Sequence, residues 1–290
     1  MNRQSLVRPI KGVVLSHSVP ALAGVEMNSR GLAQFGDAVT LNFHPCLSPL
    51  GACNHKYAAH WKGALPQGRF LNEWQTVIPA LQDVVIDPLW DVLETLSDKR
   101  RHTDSHALSL HLGSGYVFPN PAPVLMRRLC ECPDWHNLGC VIAIMGSTDW
   151  RLRPQRRWCS LHFLIYLALI CQGEPCCGAR QPLYKLLDAL HERHFFEPIV
   201  GWPHEFAGFE QLGDGLDQVA AVLRDLQCFE RWDLSGCTAV HLLLSRAQPE
   251  SSPTHWSQLA RDVVPSVLLR QVANVLKRHQ RNRFRLDVGV

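Results

Sequence analysis

The sequence has no long hydrophobic run and no recognisable secretion signal. Its longest apolar stretch, residues 161–171, is shorter than the roughly 18 to 20 residues that a membrane-spanning helix needs, and it contains His162 and Tyr166. Residues 1–24 lack an uninterrupted apolar segment followed by a small-residue cleavage site. We therefore expect an intracellular protein that does not enter a membrane.

The common catalytic motifs are also missing. The chain contains no phosphate-binding Gly-x-x-x-x-Gly-Lys-Ser/Thr loop, no dinucleotide-binding Gly-x-Gly-x-x-Gly, no His-Glu-x-x-His and no Gly-x-Ser-x-Gly. We name no catalytic residue and predict a binding protein rather than an enzyme. A catalytic site built from residues that are distant in sequence remains an alternative, because 11 cysteines and 15 histidines offer many pairings.

The composition predicts an α+β fold: a mainly helical single globular body with a few short strands and a C-terminal amphipathic helix. No long Gly/Ser-rich or Pro-rich linker divides the chain, so we expect one domain over residues 1–250, followed by a helix and basic tail over 251–290. Spacing of apolar residues predicts helices over residues 70–96 with breaks at Pro79 and Pro88, 124–132, 182–196, 215–228 and 266–280. The run 158–171 is apolar all round and too long for an ordinary strand, which indicates a buried helix. Strands are predicted over residues 12–15, 38–43, 107–112, 140–145 and 238–244, the first two in a loop-rich region.

Eleven cysteines in a chain without a secretion signal indicate reduced thiols or metal ligands, because intracellular thiols rarely form disulfides. Cys130, Cys132 and Cys140, with His136 as a fourth ligand, can surround one soft tetrahedral cation, and zinc is the expected occupant. The alternative is that these cysteines are small apolar side chains in the core. Two poorer groups compete for the fourth position: His44, Cys46, Cys53 and His55, and the Cys171, Cys176 and Cys177 group, which we expect to serve packing.

The C-terminal helix is the second feature of the sequence that indicates a function. Its apolar residues predict a surface that docks in a partner's groove. They are Leu268, Leu269, Val272, Ala273 and Leu276. The alternative is that this stripe packs on the protein's own core. The basic residues that follow indicate nuclear import or phosphate binding, or a tail that only keeps the protein in solution. They are Lys277, Arg278, Arg281, Arg283 and Arg285.

Two stretches resemble known viral proteins. Cys130-x-Cys132-x7-Cys140, followed by the apolar residues 141–143, is similar to the cysteine-rich centre of the adenovirus early-region 34K proteins. Residues 69–74 resemble a Phe-x-x-x-Glu-Trp stretch of the same family, so the similarity spans roughly residues 64–143. The avian adenovirus GAM early proteins are similar in length and in a leucine pair seven residues apart near the C-terminus, here Leu269 and Leu276.

Both resemblances imply a viral adaptor that recruits a host cullin ubiquitin ligase through elongins B and C and redirects it to host factors. The contact helix has the form Ser/Thr-Leu-x-x-x-Cys/Ala, which Leu269 and Ala273 match. Leu268 stands where Ser or Thr is usual, and Lys277 occupies a position that is commonly apolar. A second stretch, residues 125–130, has Met126 in place of the Leu. The implied location is the host nucleus and cytoplasm.

A further resemblance, to herpesvirus tegument proteins, involves residues 129–145 and 161–190 with different spacing between the two blocks. The leading hypothesis is therefore a non-enzymatic viral adaptor that binds host proteins. The alternatives are a tegument or assembly protein, a nucleic-acid-binding regulatory protein, and a Cys/His-dependent enzyme.

Overall fold

Helices form most of the regular structure in the computed structural model, which describes residues 6–46, 55–98, 102–112, 129, 131–245, 253–281 and 284–286. In chain order they are α1 (Val7–Ala23), α2 (Ser29–Phe43), α3 (His55–Trp61), α4 (Gly68–Val77), α5 (Leu81–Val85), α6 (Leu89–Ser97), α7 (Asp104–Ser109), α8 (Trp135–Met145), α9 (Arg153–Ile170), α10 (Arg180–Glu192), α11 (Phe206–Asp225), α12 (Leu234–Leu244), α13 (Pro253–Arg261) and α14 (Pro265–Arg281). Two three-residue strands, β1 (Leu110–Leu112) and β2 (Phe284–Leu286), pair antiparallel, with His111 opposite Arg285.

The predicted α+β class is wrong, although the mainly helical body is confirmed. Residues 140–145 and 238–244, expected as strands, belong to α8 and α12. Both helices are apolar on nearly every side, so their sequences lack the polar positions that reveal a 3.6-residue period. The strand pair β1–β2 is too small to form a layer, and no larger sheet occurs among the described residues.

The N-terminal region is helical rather than loop-rich, and the strands expected over residues 12–15 and 38–43 lie inside α1 and α2. Helix α1 lies between two hydrophobic cores: Val14 belongs to the larger one, and the adjacent Leu15 to a smaller one built around Trp74. Because α1 is covered from both sides over residues 12–20, all nine of these residues are buried and this part of the helix shows no amphipathic pattern.

The helices predicted outside the N-terminal region are confirmed where the structure describes them. Pro79 and Pro88 separate α4, α5 and α6, while the expected segments at 158–171, 182–196, 215–228 and 266–280 correspond to α9, α10, α11 and α14. The predicted strand over residues 107–112 is helical as far as Ser109 and only then extended. The helix expected over residues 124–132 lies largely outside the described residues.

The two C-terminal helices pack on the main body. Helix α13 lies against α11, and α14 lies against α12. They contribute Trp256, Ala260 and Leu268 to the larger core, all of them buried. This packing fixes the position of α14, the helix that carries most of the predicted functional residues.

Helices α6 and α8 approach closely at Gly139. A Cβ atom there would lie 3.0 Å from Leu89 Cα and 3.1 Å from Leu89 N, so the backbone of α6 would have to move. We expect Gly139→Ala to lower the free energy of unfolding by about 1–3 kcal/mol, measured by urea titration with circular dichroism detection. The control is Gly68→Ala at the exposed start of α4, where no atom lies within 4 Å. Equal stability of the two variants would contradict the close packing of α6 on α8.

Candidate functional site

Helix α14 divides its apolar residues between the core and the surface. Leu268, Val272 and Val275 are 1%, 3% and 4% exposed. Leu269 is 42% exposed, Ala273 is also exposed, and Leu276 is partly buried. Two of the predicted partner-binding residues, Leu268 and Val272, are therefore part of the core in this fold and are not available to a partner.

The remaining three predicted residues share one side of the helix. Leu269, Ala273 and Leu276 stand at positions i, i+4 and i+7, a spacing that places side chains in one row along a helix. We call this row the outer face of α14. It lies beside the buried stripe and presents a leucine and an alanine to solvent.

The end of α14 is held by charged contacts with residues 131–134. Arg278 donates from Nη2 to Glu131 Oε2 at 3.1 Å, and His279 Nε2 lies 2.8 Å from Asp134 Oδ2. The two features selected from the sequence, the cysteine-rich segment and the C-terminal helix, thus lie against each other. No sequence spacing indicated this contact, because the paired residues are separated by well over one hundred positions.

Asp134 also begins helix α8. It is the N-cap residue, and its Oδ1 accepts a hydrogen bond from the backbone N–H of Asn137. Asn137 in turn donates from Nδ2 to the carbonyl oxygens of Leu129 and Cys132. The segment that precedes α8 is therefore fixed in place by backbone and side-chain hydrogen bonds.

Cys132, Asp134 and His279 form a linked group of a thiol, a carboxylate and an imidazole. Cys132 is 1% exposed, its Sγ lies 3.5 Å from Thr238 Oγ1, and its interaction with His279 contributes to the pKa of that imidazole. Burial lowers the pKa of His279, but the hydrogen bonds and charges of Asp134 and Cys132 outweigh this effect and raise the pKa to about 10. The imidazole is thus protonated at neutral pH.

The predicted zinc ligands are not brought together among the residues that the structure describes. Cys140 is buried in the core, and His136 Nδ1 lies 3.4 Å from Asp87 Oδ2. Because residues 135–145 are helical, Cys140 is carried about 9 Å along the helix axis from Asp134. Cys130 lies outside the described residues. The described donors therefore give no support to zinc at Cys132, His136 and Cys140.

The competing group in the N-terminal region is not assembled either. His44 Nε2 lies 2.9 Å from Glu73 Oε1, which also accepts from Arg69, and Cys46 is exposed. Cys53 lies outside the described residues. His44 thus takes part in a carboxylate and guanidinium network rather than in a described thiol site.

An open groove of about 610 Å³ lies on the other side of α14 from the outer face. It is lined by Glu131, Leu242, Ser245, Gln271, Asn274, Val275, Lys277, Arg278 and Arg281. We call it the basic groove. Three of the predicted basic residues meet here, but Arg278 is paired with Glu131, which reduces the positive charge offered to a phosphate. Arg283 and the side chain of Arg285 lie outside the described part of the chain.

In the described part of the chain, no helix combines the length and the apolar character that crossing a membrane requires. Comparison of the chain with models of known protein families, with curated protein sequences and with solved structures gives no match. The geometry of α14 and its neighbours, together with the sequence resemblances, is therefore the basis from which a function can be inferred.

The raised pKa of His279 predicts a stability that falls with pH. Between about pH 6.5, the ordinary histidine value, and about pH 10, the folded protein holds a proton that the unfolded chain has released. In this range, the titration of His279 should lower the free energy of unfolding by about 1.4 kcal/mol per pH unit. Urea titrations at about pH 7 and about pH 7.5 measure it, at least one pH unit below the ordinary thiol pKa of about 8.5.

The variant His279→Gln is the control, because it removes the titrating group and keeps a hydrogen-bonding side chain. Its unfolding free energy should depend less steeply on pH than that of the wild type. The same slope in both proteins would show that His279 is not held as an imidazolium by Asp134.

Proposed function

We propose that this protein is a non-catalytic adaptor that binds a host protein through the outer face of α14. The proposal is based on the difference in exposure between two adjacent leucines: Leu268 is buried and Leu269 is 42% exposed. The Leu-x-x-x-Ala pattern of Leu269 and Ala273 thus stands on the surface, where a partner can reach it. A helix that offers an apolar row to a partner's groove is a common recognition mode.

The partner we propose is elongin C within a cullin ubiquitin ligase. This choice depends on the resemblance to adenovirus early proteins, with the host nucleus and cytoplasm as the accompanying location. The fold accounts for one departure from the elongin-binding pattern. Leu268 replaces the usual Ser or Thr at a position that packs in the core here, and a buried hydroxyl without a partner would be costly.

The second departure is also compatible with this geometry. Lys277 occupies the position that is usually apolar, but its side chain lines the basic groove. Leu276, one residue earlier and on the outer face, is partly buried and supplies an apolar side chain close to the expected place. The proposed contact surface is therefore Leu269, Ala273 and Leu276, without Leu268 and Val272.

A second candidate function is thiol-dependent hydrolysis or group transfer at Cys132. The arrangement of Cys132, His279 and Asp134 favours it, because a thiol activated by an imidazole that a carboxylate orients is the basis of cysteine hydrolases. Against it stands burial: Cys132 is 1% exposed, and the adjacent basic groove is lined by Glu131 and not by the thiol. The adaptor is the stronger proposal for this reason.

Substitutions on the two sides of α14 test the adaptor. We expect Leu269→Asp to weaken binding to purified elongin B–elongin C at least tenfold, measured by calorimetry, because it places a charge in an apolar contact. Asn274→Asp is the matched control, since it adds the same charge on the groove side of the helix and should bind as the wild type does. Leu268→Ala is avoided, because loss of a core leucine costs about 2–5 kcal/mol of stability.

Two results would contradict this proposal. The first is a wild-type chain that does not bind the purified complex, which would remove elongin as the partner. The second is equal binding by wild type and Leu269→Asp, which would move the contact away from the outer face of α14. Circular dichroism must show that each variant keeps the helical content of the wild type.

Alkylation of the folded protein by iodoacetamide separates the two candidates. Among the cysteines that the structure describes, we expect Cys46 to react first because it is exposed, and Cys132 to react slowly because it is buried. Burial also raises the pKa of Cys171 and Cys237 to about 12, so these thiols should stay unreactive. Mass spectrometry of digested samples follows each site. Labelling of Cys132 before Cys46, slowed by His279→Gln, would instead support the enzyme.

A further inference from the structure

Three potential metal ligands lie close together, and none of them belongs to α14 or to the segment before α8. They are His17 in α1 and the pair Glu174 and Cys177, which lie in the connection between α9 and α10. One ligand atom from each, a nitrogen, an oxygen and a sulfur, lies within 4.8 Å of both others. His17 Nδ1 is 3.2 Å from Glu174 Oε2, and the Cys177 thiol donates to Glu174 Oε1 at 2.8 Å.

The imidazole of His17 is held in one position by its surroundings. Its ring stacks on Trp61 with 3.7 Å between centroids and 18° between planes, and the residue is 5% exposed. Gly178 lies against the same ring, and a Cβ atom at this position would overlap it. A ligand that is fixed before the metal arrives loses little conformational freedom on binding.

We propose that His17, Glu174 and Cys177 form a binding site for a divalent, borderline-soft cation, with zinc as its occupant. Zinc accepts imidazole nitrogen, carboxylate oxygen and thiolate sulfur together, whereas magnesium and calcium prefer oxygen ligands alone. Three protein ligands leave one position of a tetrahedral site for water or another group. The Glu174 side chain is 35% exposed, so an ion can reach the site from solvent.

The site joins two parts of the chain that are 157 residues apart. A bound cation would link α1, which lies between the two cores, to the connection that leads into α10. Binding replaces the thiol proton of Cys177 with a bond to the cation, and the binding free energy adds to the stability of the folded state. This inference is independent of the adaptor proposal, because the outer face of α14 contributes no ligand.

Metal analysis of the purified full-length chain tests the site. We expect about one zinc per chain after dialysis, and on replacement with cobalt a thiolate-to-metal charge-transfer band. Cys177→Ser should abolish this band, and Glu174→Gln should weaken cobalt binding at least tenfold. Cys46→Ser and Cys132→Ser are the control thiol variants, and both should keep the metal and the spectrum of the wild type.

Absence of bound zinc together with absence of a cobalt band in the wild type would overturn the proposal. Loss of the metal in Cys132→Ser with retention in Cys177→Ser would overturn it as well, and would assign the ion to the segment before α8. Cys177 and Glu174 are partly exposed, so their variants should fold even where a substitution of the buried His17 does not. Circular dichroism of each variant verifies this before the metal is added.

Discussion

The two oxygens of the Asp134 carboxylate connect the start of the buried helix α8 to the end of the C-terminal helix α14. Oδ1 caps α8 through the backbone N–H of Asn137, and Oδ2 pairs with His279. A largely buried carboxylate is costly unless such partners satisfy it, and both partners also depend on it for their own position. Asp134 therefore acts together with the buried stripe of Leu268, Val272 and Val275 to set the orientation of α14, and with it which leucine reaches solvent.

The parts of the fold that the sequence predicts are those with one polar and one apolar side. Helices α10, α11 and α14 keep leucine or valine at three- and four-residue steps, and polar residues mark their outer sides. Prolines end helices by removing a hydrogen-bond donor, so Pro79 and Pro88 also gave correct boundaries. In the candidate site, the same spacing identified α14 but not the direction in which its apolar residues face.

The errors have a common physical cause, which is burial on all sides. Residues 12–20 of α1, 137–145 of α8 and 236–240 of α12 are buried without a break, and a run such as residues 141–145 contains no polar residue that distinguishes a helix from a strand. Contacts between distant residues leave no local trace either. His279 and Asp134, or His17 and Glu174, are identified only after the helices between them have been placed.

The burial of Leu268 and Val272 removes two of the expected contact residues, but it also holds in place the helix that carries the others. Were the whole stripe of α14 exposed, the helix would be marginally stable alone and would have to order itself on binding, at a cost in affinity. Here the buried stripe and the His279–Asp134 pair hold α14 rigid, so a partner meets a preformed surface. The outer face is small, which makes Leu269 its principal anchor and limits the affinity that α14 alone can provide. A stable complex must therefore include contacts beyond the outer face of α14.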